Sequence, residues 1–160
     1  MTKIKILRFA LGLFIGANVI SAFIISYIAF FTDLYYNLPR RYEDSLRIIQ
    51  NSFYLNQAAL LPALIYIYCA VNGFISMGYF NDTSAKYLKR GGMFLIASAL
   101  IKSCLSIYKV ANSDDENKYV FLEPAVSGIL VILIIGFALF IIADFLRKGE
   151  AIERENNLTI

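Results

Sequence analysis

The chain is 160 residues long, 59% hydrophobic and 17% charged, with a formal net charge of +3. A soluble domain is about a quarter charged. Here the apolar residues also gather into runs near or above the roughly 18 that cross a bilayer as a helix, which indicates an integral membrane protein and leaves no room for a second, soluble domain.

Histidine and tryptophan are absent. The two cysteines, Cys69 and Cys104, fall in apolar runs with neither C-x-x-C nor zinc spacing, and read as small buried apolar residues.

The first apolar run covers roughly residues 9–31. Lys3, Lys5 and Arg8 before it imitate a signal peptide, but the run continues past the usual h-region and holds no A-x-A cleavage site. It is therefore read as span one. Asn18, Ser21 and Ser26 are expected to be helix-packing polar groups. Gly12 and Gly16 form a G-x-x-x-G that serves either intrachain packing or a homo-oligomer face.

A polar stretch follows. After Pro39, Tyr42, Leu46, Ile49 and Phe53 recur at helical spacing with charges between them, which predicts an interfacial amphipathic helix between spans one and two. Tyr35, Tyr36 and Tyr42 suit the headgroup level.

Span two is roughly 55–77 and contains Pro62, which can kink it, and Asn72, expected to bond to a neighbouring helix. A short basic connection leads to span three, roughly 92–110, and an acidic one to span four, roughly 124–145. Asp144 closes that last span, where a carboxylate opposes the helix dipole and Arg147 and Lys148 compensate. Backbone in hydrocarbon must satisfy its hydrogen bonds internally. The expected fold is thus all-α, a four-helix integral membrane bundle forming one domain over residues 1–160, with a tail at 146–160.

Charge orients it. Lys3, Lys5, Arg8, Lys86, Lys89, Arg90, Arg147, Lys148 and Arg154 fall on one side, and Arg40, Arg41, Arg47, Lys109 and Lys118 on the other. The positive-inside rule puts the richer side, with both termini, in the cytoplasm of a cell-membrane protein.

Within the spans, Lys102 is the sharpest candidate for chemistry. An intramembrane lysine costs about 2.5–3.5 kcal/mol on insertion scales. Ser98 and Ser106 lie four residues either side, on one helix face. Lys102 then either faces a cavity or pairs with Glu123, or it snorkels to the outer headgroups. No Walker A, G-x-S-x-G or Gly-rich dinucleotide turn occurs. No catalytic residue, metal site or cofactor is expected, and no enzyme.

The tail, RKGEAIERENNLTI, offers Gly149 as a place for the helix to pause and Glu150–Arg154 as an i,i+4 pair. Beyond Gly149 it either extends the helix or frays in solvent. Leu158 and Ile160 flank Thr159 at the end, a pattern able to sit in a groove or add to a sheet edge.

Phe145, Gly149, Glu155, Asn156, Leu158, Thr159 and Ile160 match a pattern F-x-x-x-G, an acidic stretch, then E-N-[DN]-L-T-I. Asn157 stands where aspartate is usual. This ending resembles the YoaS-like family of small four-span bacterial membrane proteins, a domain of unknown function. A second stretch, YFNDTSAKYLKRGG, is similar to the family's P-F-x-x-x-N-x-K-x-L-x-x-I-G at Phe80, Lys86, Leu88 and Gly92. It departs at Tyr79, near Ser84 and at Gly91.

Members are often encoded beside a small helix-turn-helix regulator. The resemblance thus implies a membrane partner or sensor for a cytoplasmic DNA-binding protein, with no direct nucleic-acid binding of its own. Its two matched stretches would form one docking surface, and the surrounding partner is the lipid bilayer. The alternative is a small transporter or immunity-type protein handling an amphiphile through the stripe around Lys102.

Overall fold

The computed structural model describes residues 2–31, 40–111 and 122–158. Among them the chain forms four helices and no strand: α1 (Thr2–Phe31), α2 (Arg40–Met77), α3 (Asp82–Ala111) and α4 (Leu122–Leu158). All four are long and apolar enough to cross a membrane. At about 1.5 Å rise per residue, even the 30-residue α1 and α3 exceed the roughly 30 Å of hydrocarbon.

One expectation changes. The amphipathic stretch is not a separate interfacial helix; it is the start of α2, which runs unbroken for 38 residues. Neither proline nor glycine falls between Arg40 and Leu61 to stop it, and the helix continues through Pro62, which forfeits one backbone bond without ending it. Of the two courses left open beyond Gly149, α4 takes the helical one and continues to Leu158. Tyr35 and Tyr36 lie outside the described residues.

The α2–α3 connection has a local cause. Gly78 follows the last residue of α2 with φ +89°, the left-handed conformation that closes a helix. Asn81 then caps α3. Its side-chain oxygen accepts the Ser84 N–H at 2.6 Å, and its amide donates to the Gly78 carbonyl at 2.7 Å. Asp82 in the first turn suits the positive end of the helix.

Each helix packs on its sequence neighbour, which places α3 between α2 and α4. Ala70, Leu88 and Ala143 form the buried centre, with Phe74, Tyr87, Leu139 and Leu146 around them. Two adjacent glycines let α3 approach both neighbours. A Cβ on Gly91 would lie 2.9 Å from Ile67 and 3.3 Å from the Ala63 carbonyl oxygen, on α2. One on Gly92 would lie 2.8 Å from the Gly136 carbonyl oxygen, on α4. Lipid tails give helices no hydrophobic reason to associate, so close approach through small residues is what joins them.

Helix α1 is different. Its apolar window has no buried residue, and it contacts α2 sparsely. Gly12 faces Tyr68 of α2, while nothing lies within 4 Å of a Cβ at Gly16. Polar pairs tie α1 to α2 along its length. Arg8 donates to Asn72 Oδ1 at 3.2 Å, Gln57 donates to Asn18 Oδ1 at 3.1 Å, and Ser26 and Tyr54 share a hydrogen bond of 2.7 Å. Asn18, Ser26 and Asn72 thus pack helices as expected. Ser21 is exposed and makes no such bond among the described residues. The cysteines are free; Cys69 is half-buried and Cys104 exposed, so neither is the fully buried residue expected.

Candidate functional site

The end of the molecule where α2 turns into α3 brings together residues from both of the stretches singled out by sequence. Here α4 outruns α3, and its last turns pass the connection that carries Phe80. The Phe80 ring rests on Gly149, so close that a Cβ there would overlap it. The glycine of the F-x-x-x-G pattern therefore has a steric meaning: Gly149 is flat so that Phe80 can seat. Phe80, Gly149, Ile152, Glu153 and Asn156 line an open cleft of about 390 Å³.

The four α4 residues fall at i, i+3, i+4 and i+7 from Gly149, one helix face. Sequence reasoning missed Ile152 and Glu153, although this spacing was available to find them. Phe80 and Ile152 are exposed apolar side chains on the cleft, and Glu153 brings a carboxylate to it.

Beside the cleft lies a charged cluster. Asp82 receives Lys86 at 2.5 Å and Arg147 at 3.1 Å, joining the start of α3 to α4. The Lys86 hydrogen bond is the main cause that holds the Asp82 carboxyl below its ordinary value; desolvation opposes it, and the charges of Lys86 and Arg147 and the Arg147 hydrogen bond add to the lowering. Asp82 is the first residue of α3, ahead of its apolar part. Arg154 and Glu150 form a long i,i+4 pair at 4.0 Å. Asp82, Arg147, Glu150, Ala151 and Arg154 frame a second open depression of about 480 Å³.

The remaining residues of the two matched stretches divide. Lys86 is exposed and paired, as above. Leu88 is 4% exposed in the three-helix core, so it holds the face together and is not presented on it. Gly92 serves the α3–α4 approach. Phe145, Glu155 and Asn156 are exposed on α4. Leu158 ends α4, with its side chain outside the described residues, as are Thr159 and Ile160 altogether.

The departures from the pattern have local reasons. Tyr79 stacks on Phe74 at 6.5 Å. Ser84 is fully buried and its hydroxyl packs against Gly73, which leaves no space for a larger side chain. Gly91 fits where Ala63 and Ile67 crowd α3.

The stripe around Lys102 lies elsewhere, toward the opposite end of the spans. Ser98, 1% exposed, donates to Asn56 Oδ1 of α2 at 2.8 Å. Asn56 was not foreseen, since its face of α2 was not assigned a neighbour. The Lys102 ammonium lies over Gly128 of α4, 3.7 Å from where a Cβ would stand. Gly128 is six residues past Leu122, the first of α4, about 9 Å of rise. The ammonium therefore lies alongside α4 and not at its tip. Ser106 is half-buried on the same face. Glu123 belongs to α4, but its side chain is outside the described residues, so a Lys102–Glu123 pair is not among the contacts seen. Among the described residues, no group of three or more His, Cys, Asp or Glu side chains could hold a metal ion.

Neither curated proteins nor solved structures provide a match to the chain. A family model does, over residues 19–160, which takes in the second half of α1, all of α2 to α4 and the cleft. The chain belongs to the family described as protein of unknown function, DUF2975.

Proposed function

We propose that the protein is a non-catalytic membrane partner or sensor, and that the Phe80–Gly149 cleft docks a cytoplasmic regulator of the helix-turn-helix kind. The observation that carries this reading is the seating of Phe80 on Gly149. Two stretches some 70 residues apart, each matched to a YoaS-like pattern, meet there in one open face. The excess of lysine and arginine near this end supports a cytoplasmic location. An exposed aromatic from the α2–α3 connection, set beside an aliphatic side chain and a carboxylate on one face of α4, suits helix-in-groove recognition.

The test is co-purification with the candidate regulator from detergent-solubilised membranes. Replacing Ile152 and Asn156 with alanine, or Leu158 and Ile160 with alanine, is expected to abolish regulator binding while membrane insertion is unchanged. Regulator binding that survives both double substitutions contradicts the reading.

A second reading rests on the Lys102 ammonium beside Gly128. A cation at that depth, next to the Ser98–Asn56 bond, suits a small transporter or immunity-type protein handling an anionic amphiphile. On that reading Lys102→Leu inserts normally and loses transport or resistance. An unaltered phenotype would leave Lys102 a packing residue.

A further inference from the structure

The start of α1, the last turn of α2 and the Gly78–Tyr79 turn enclose a pocket that neither reading uses. Its lining is Ile4, Lys5, Phe74, Ile75, Gly78 and Tyr79, and its volume is about 160 Å³. That is below the roughly 300–1,000 Å³ that takes a compact drug-sized ligand, and suits a short length of chain. The walls are aliphatic and aromatic, with Tyr79 stacked on Phe74. Gly78 leaves open space where a side chain would stand.

The charge on the lining is one lysine, Lys5. The first turn of α1 carries no acidic residue, so its dipole end and Lys5 present the same sign. About one turn further along α1, Arg8 donates to Asn72 of α2, which ties the two helices together near the pocket. The pocket also lies at the ends of two candidate spans, the start of α1 and the end of α2, and span ends fall near the headgroups of a bilayer.

We propose that this pocket holds one anionic phospholipid, its phosphate on Lys5 and the first part of an acyl chain between Ile4, Phe74 and Ile75. Apolar walls and a single cation at the headgroup boundary match an amphiphile with a negative head. A free phosphate would leave the walls unfilled, and a zwitterionic lipid would bring its own ammonium beside Lys5.

The experiment is native mass spectrometry of the full chain released from nanodiscs of mixed phosphatidylcholine and phosphatidylglycerol. The wild type is expected to retain one phosphatidylglycerol, not displaced by millimolar inorganic phosphate. Lys5→Gln should lower its retention roughly fivefold, the weight of one lysine at an anionic surface. Lys3→Gln, which removes a charge outside the lining, should leave retention unchanged. Ile4→Phe keeps every charge and fills the apolar wall, and should also lower retention. Equal losses for Lys3→Gln and Lys5→Gln would reduce the effect to diffuse surface charge and overturn the proposal. So would displacement by phosphate, or full retention in Ile4→Phe.

Discussion

Glycine does two kinds of work in this chain, and single substitutions separate them. At Gly92 an added methyl meets the Gly136 carbonyl oxygen of α4 at 2.8 Å, backbone that has no rotamer to yield. Gly92→Ala is therefore expected to force α3 from α4, at the cost of about 1–3 kcal/mol typical of overpacking. Thermal unfolding in detergent measures it. Gly16→Ala meets nothing within 4 Å and should unfold at the wild-type temperature or slightly above, since alanine is the better helix former. The sequence shows both glycines in apolar runs. It contains nothing to say that Gly91 and Gly92 face different neighbours, because that follows from where α2 and α4 stand. The same limit applied to Gly149. Its place in a motif was legible, but that it seats Phe80 required the chain to return from about 70 residues away.

At the level of the helices, composition and length were sufficient to find all four crossings, because hydrocarbon leaves the backbone few alternatives. Their ends were less legible. The start of α2 looked like a separate helix because its charges change the surroundings, yet nothing in the backbone breaks there. Gly149 left a pause and a continued helix both open, and α4 continues, since a glycine in a helix is only a modest penalty when neighbours hold it.

The α1–α2 seam shows how weakly one element can be attached. With its apolar window facing outward, α1 depends on the pairs at Asn72, Gln57 and Tyr54 for its register. Interhelical hydrogen bonds in membranes average about 0.6 kcal/mol in double-mutant cycles. A cycle on Asn18→Leu and Gln57→Leu is expected to return a coupling near that value, measured by reversible unfolding in bicelles. A coupling of zero would mean that apolar contacts such as Gly12 on Tyr68 set the register alone.

Across the whole molecule, the three-helix core of α2, α3 and α4 serves to hold one end in shape. Leu88, taken from a matched stretch, is buried in that core, and so links the packing of the spans to the face that Phe80 and Gly149 build. The matched family region begins at residue 19 and includes this core and the cleft entire.

The measurement that tests the docking reading most directly is photo-crosslinking in native membranes from a probe at position 152, on the cleft. The account predicts one discrete adduct, identified by mass spectrometry as a helix-turn-helix protein, and its loss when Gly149→Leu unseats Phe80. Adducts only to lipid or to the chain itself, or a protein adduct that persists in Gly149→Leu, would contradict it.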